Sequence, residues 1–174
     1  MARVDTPPGL QLIQDFVNTL DVETGQDDLE SFLTDTRVSA LSLRKRDLPP
    51  LTRLRETLRA VCLAHAGAAL PPDARRELEG LLAAAPLRVT LSREGGAELE
   101  PDPRLQRVEA LTARIAAAIA AGAADGTWAR LKACEAEDCL WAYYDRSPAG
   151  RRRWCTMAVC GSRAKMRTYR TRQR

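Results

Sequence analysis

Large rings are scarce in this chain: three Trp, three Tyr and two Phe among 174 residues. A core must therefore be built from Leu, Ala and Val, a composition that favours helices. There is one histidine, His65, and no glycine-rich phosphate loop, and no nucleophile has an evident partner, so an enzyme is the least favoured class. No stretch approaches the roughly twenty apolar residues of a membrane span, and the opening MARVDTPPGLQ lacks the apolar core of a secretory signal. These absences lead to the expectation of a soluble, cytoplasmic protein without a membrane partner. Repeats, low-complexity tracts and long linkers are also missing.

Cysteine is few in number but crowded. Four of the five lie in the last quarter, as Cys134-x4-Cys139, fifteen residues, then Cys155-x4-Cys160. An odd total in an intracellular chain makes a disulfide framework the weaker explanation and metal ligation the stronger. Two close pairs joined by a short loop deliver four thiolates to one tetrahedral ion. Thiolates suit iron as well as zinc, but a lone ion in a small basic module points to one structural Zn2+. With every position filled by sulfur, no site is open for catalysis.

Charge is uneven. Arg130–Arg174 holds twelve basic against four acidic residues, a net of +8, which leaves residues 1–129 at −4. A mildly acidic body with a basic end is what a polyanion-binding module on a folded domain requires. After Cys160, Arg163, Arg167, Arg170 and Arg174 recur at steps of four, three and four and mark one basic helical face. Arginine can make paired bonds to guanine edges or to phosphate oxygens.

The periodicity predicts a mainly α protein. Leu10, Ile13, Phe16, Val17 and Leu20 form one helical stripe, and shorter helical pieces follow near Leu29–Leu33 and Thr36–Leu43. Pro49-Pro50 opens a helix carrying Leu51, Leu54, Leu58, Val61, Cys62 and His65 on one face, with Cys62 and His65 read as core residues. Another helix runs from Pro72 through Leu82. Alternation at Leu87, Val89 and Leu91, with Gly95-Gly96 as the turn, predicts a β-hairpin near 87–100. An Ala-rich helix is predicted from Pro103, ended by Gly122 and Asp125-Gly126. The division expected is a multihelical regulatory domain, 1–128, and a small four-cysteine zinc finger, 129–174, ending in a basic helix. Within the finger, Trp141 and Tyr143 suggest a strand, and Ser147-Pro148-Ala149-Gly150 a turn.

The run CLWAYYDRSPAGRRRWCTMAVCGSRAKMRTYR resembles the CGNR zinc-finger family of bacterial proteins. The likeness covers both cysteine pairs, Tyr144-Asp145-Arg146-Ser147, Arg153-Trp154-Cys155, Met157, and Arg163 with Lys165. Asp15-Phe16-Val17-Asn18-Thr19-Leu20 is similar to the opening helix of the helical domain that accompanies this finger in stress-induced transcriptional regulators. The resemblance implies a zinc-dependent module for double-stranded DNA on a domain that senses a ligand or mediates assembly, acting at the nucleoid. One departure is Ser162, which stands where the family tetrapeptide has asparagine; serine caps a helix N-terminus comparably.

The leading expectation is therefore a transcriptional regulator in which Arg151, Arg152, Arg153, Arg163, Lys165, Arg167 and Arg170 meet the nucleic acid. Asp15 and Asn18 are candidates for a small-molecule effector pocket, and a homodimer would suit a palindromic site. Two alternatives use the same residues: a zinc module for RNA or a protein partner, and a thiol sensor that loses zinc on oxidation.

Overall fold

The computed structural model describes residues 5–172. Its first helix, α1 (Pro8–Val17), buries Leu10, Leu12, Ile13, Phe16 and Val17, and a short α2 (Leu29–Phe32) adds Leu29 and Phe32. Thr36–Leu43 forms only a single tight turn at Ser39–Leu41, because this polar stretch buries just Val38 and has no stripe to hold a longer helix. Then come α3 (Leu48–Ala66), with prolines in its first turn as expected, and α4 (Pro72–Ala83).

The hairpin pairs β1 (Leu87–Leu91) with β2 (Ala97–Pro101) antiparallel, Val89 opposite Leu99. The long helix α5 (Arg107–Asp125) starts four residues later than its prolines suggested, since Asp102–Leu105 closes a turn of its own. Gly122 does not end it. This residue lies inside the helix, where a Cβ would sit 3.1 Å from the Trp128 backbone nitrogen, so glycine lets the following turn pack close; the stop is Gly126 at φ 77°.

The finger contributes a second hairpin, β3 (Leu131–Ala133) with β4 (Ala142–Tyr144), and a terminal helix, α6 (Ser162–Arg172), entered through the wide turn Met157–Gly161. Leu131, Ala133, Ala142 and Tyr144 join the same hydrophobic cluster as Phe16, Leu54, Leu58 and Leu111. β3 packs directly on α3 and β4 on α1, so half of the metal module is built into the helical core.

Two buried arginines on α3 tie this core together. Arg55 donates to both Asp27 carboxylate oxygens at 2.7 and 2.9 Å and to Thr19 Oγ1 at 3.0 Å. Arg59 donates to the carbonyls of Val17 at 2.7 Å and Leu140 at 2.9 Å. Backbone carbonyls from a helix end and from the finger are thereby satisfied by one guanidinium.

Candidate metal centre and nucleic-acid interface

β3 delivers Cys134, which donates its N–H to Trp141 O at 2.9 Å, extending the hairpin to the first ligand. A tight turn follows, in which Cys139 N–H donates to Ala136 O, and Leu140 closes it at φ 51°. That left-handed conformation is uncommon and costly for a leucine, and the bond from Arg59 to its carbonyl holds it. Cys155 follows the loop 145–154, and Cys160 lies within the wide turn before α6.

The four sulfurs lie within 4.8 Å of one another, with Cys139–Cys155 and Cys155–Cys160 both at 3.7 Å. A tetrahedron of sulfurs each ~2.3 Å from zinc has edges of ~3.8 Å, so the cluster has the dimensions of a four-thiolate zinc site. Burial pushes the Cys139 thiol well above its ordinary value and Cys160 up to about 11. At Cys134 burial opposes ionisation too, but the amide N–H groups of Cys155 and Ala136 outweigh it and lower the value. Thiols this close resist ionising together; a divalent cation removes the conflict. These four cysteines make one structural zinc site.

The loop between the ligand pairs is organised by a buried ion pair that the sequence reading did not assign. Asp145 is fully buried and Lys132 nearly so. Asp145 Oδ2 accepts from Lys132 Nζ at 3.0 Å and from Arg152 N–H at 2.8 Å, while Oδ1 accepts from Ser147 N–H and hydroxyl. Lys132 Nζ also donates to Gly150 O at 2.6 Å, and Tyr143 OH donates to Arg152 O at 2.8 Å. Burial works against ionised Asp145, but the Ser147 hydroxyl, the amides of Arg152 and Ser147 and the Lys132 ammonium hold it down at about 2. The available signal was a lysine inside a three-residue strand and an Asp two before a serine, a local turn pattern.

The arginines singled out from sequence divide into two groups. Arg153 Nε donates to both Glu135 oxygens at 2.7 Å and its guanidinium lies over Trp154. Arg152 donates to Cys155 O and lies over Tyr143. Arg163 bridges Glu23 at 2.9 Å and Asp138 at 3.2 Å, and Arg167 reaches Asp138 at 3.7 Å. Arg151, Lys165 and Arg170 are exposed, and no ion pair joins them to a described residue. Arg174 lies outside the described residues. Two shallow concavities flank the wide turn: about 540 Å³ between Val159, Arg163, Met166, Arg167 and Arg170, and about 450 Å³ between Arg151, Arg153, Trp154 and Met157. Both combine guanidinium rims with apolar floors.

Ser162 is not a cap. Its backbone is already helical, its hydroxyl donates to Met157 O at 3.2 Å, and the helical run begins earlier, after Thr156. Carbonyls of the wide turn accept the N–H groups that a capping side chain would otherwise take. Asn18 and Asp15 make structural bonds. Asn18 donates to Ala142 O at 2.9 Å and accepts from Ala142 N–H at 2.7 Å, joining α1 to β4, and Asp15 pairs with Arg37 at 2.7 Å. His65 Nδ1 sits 2.7 Å from Leu131 O with its ring against Trp128, and Cys62 is fully buried with its thiol pushed up to about 12 by desolvation.

Fold and site together define a zinc-binding protein whose four-cysteine finger is fused to a helical body. Residues 130–173 match the CGNR zinc finger, and residues 10–126 match the ABATE domain, described as a putative stress-induced transcription regulator. The chain belongs to the ABATE family. No curated protein matches it significantly. Among the described residues, no helix is long and apolar enough to cross a membrane.

Proposed function

We propose that this protein is a zinc-dependent transcriptional regulator that binds double-stranded DNA at the nucleoid, with residues 129–174 as the binding finger and 1–128 as the unit that receives a stress or effector signal. The observation that carries the reading is the placement of charge. A net of +8 lies in Arg130–Arg174, and the zinc module presents Arg151, Lys165 and Arg170 outward from one turn and one helix. Those three side chains make the first contacts with phosphate, while Arg152, Arg153, Arg163 and Arg167 exchange internal partners for DNA at closer range. The family description supports regulation as the outcome.

Fluorescence anisotropy with random-sequence duplex, at several salt concentrations and with or without a chelator, tests the proposal. Binding should vanish on zinc removal, and log K should fall against log salt with a slope of about −3 or steeper, near −0.9 per phosphate engaged. Absence of duplex binding at low salt by zinc-loaded protein refutes it. Preference for structured RNA in competition would assign the same cations to RNA.

A further inference from the structure

The β1–β2 hairpin faces the wrong way for a core element. Its apolar residues occupy one face, yet Val89 is 65%, Leu91 74% and Leu99 48% exposed. β2 makes most of the hairpin's approach to α5, which leaves β1 on the outside.

The edge of β1 is open in a specific way. Ser92 donates its N–H to Gly96 O at 2.8 Å and Asp102 its N–H to Pro86 O at 3.3 Å, both in the register that pairs Val89 with Leu99. Hydrogen-bonded pairs alternate along an antiparallel ladder, so Arg88–Glu100 and Thr90–Glu98 bond internally. Leu87, Val89 and Leu91 therefore turn their N–H and C=O groups outward from β1. The residues with the outward apolar side chains also own the free backbone donors and acceptors. No proline, lysine or bulge guards this edge, although natural edge strands are usually protected by such devices.

We infer that this edge joins a second copy of the chain, β1 to β1, in an antiparallel four-stranded sheet with its two-fold axis at Val89. In that register Val89 exchanges N–H···O bonds with Val89 of the second copy and Leu87 with Leu91, using the groups that point outward. The same pairing places Val89 beside Val89 and Leu87 beside Leu91 on one continuous apolar face, extended by both copies of Leu99. On the other face Arg88 meets Thr90, so no like charges oppose. Centring the axis on Arg88 sets Arg88 against its own copy and pairs Leu91 with Ala85, and centring it on Thr90 pairs Leu87 with Arg93; both partners lie outside β1, so the Val89 axis alone matches all three outward-facing residues within the strand. A two-fold contact closes on itself and uses up the edge, so assembly stops at two.

Sedimentation velocity of the zinc-loaded full chain, with the variant Val89→Lys, tests this. The wild type should sediment as a dimer at about 10 µM. Val89→Lys places two ammonium groups at the axis and should weaken dimerisation by about 100-fold or more, with zinc content and circular dichroism unchanged because Val89 is exposed in the monomer. Hydrogen exchange should show the Leu87, Val89 and Leu91 amides protected in the wild type and fast in the variant. A monomeric wild type, a dimer that survives Val89→Lys, or growth beyond two chains overturns the inference.

Discussion

Asp145 and Lys132 stand beside the zinc site with neither exposed to solvent, and each fills its bonding capacity with groups from the loop 147–152. Removing one member leaves the other charged and buried, so Asp145→Asn should cost about 3 kcal/mol in urea unfolding of zinc-loaded protein. The carboxyl is held below its ordinary value, and its contribution is present above the unfolded pKa near 4. It is lost as pH falls from about 4 through about 2. A stability profile that is flat across that window would show the network to be unimportant. Asn18 is the other decisive residue: Asn18→Ala strips both bonds from Ala142, leaving a buried N–H and C=O unpaired. Loss of about 2 kcal/mol is expected from the same unfolding measurement.

At the scale of elements, α6 and the loop before it carry the basic surface, but their cations are not equivalent. Lys165→Gln, Arg170→Gln and Arg151→Gln should each shallow the salt dependence of duplex binding by about one unit of slope. Arg153→Gln should change it less, because Arg153 already faces Glu135. Equal effects from all four would mean that the internal ion pairs open freely. The elements themselves were largely legible in the sequence: the stripes of α1, α3, α4 and α5 and the hairpin alternation are local patterns. The Thr36–Leu43 segment and the start of α5 were less so, because polar stretches and prolines leave the choice between helix and turn to surrounding contacts.

Across the whole molecule, finger and body share one core. Leu131, Ala133, Ala142 and Tyr144 pack among helix residues, Arg59 holds Leu140, and Arg163 reaches Glu23 in the loop after α1. Zinc removal should therefore be felt by the body. We expect a chelator to lower the melting temperature of the helical signal by about 10 °C, a loss of several kcal/mol for a chain of this size. Two independent transitions in calorimetry, the first zinc-dependent and the second unchanged, would show the finger to be energetically separate.

The sequence by itself determined the zinc site, because four cysteines spaced in two close pairs can reach one tetrahedral ion through local turns. It also determined the helical class and the basic end, which follow from composition and periodicity. Tertiary structure alone decided which charges are spent internally. Arg55 and Arg59 are four apart on α3 and nothing in their spacing marks them for burial, yet contact with Asp27 and the Val17 and Leu140 carbonyls makes them core residues. Asn18 acquires its role only when β4 is brought beside α1. The apolar side of the β1–β2 hairpin follows the same logic: alternation along a strand separates two faces, but only packing against α5 decides which of them meets water.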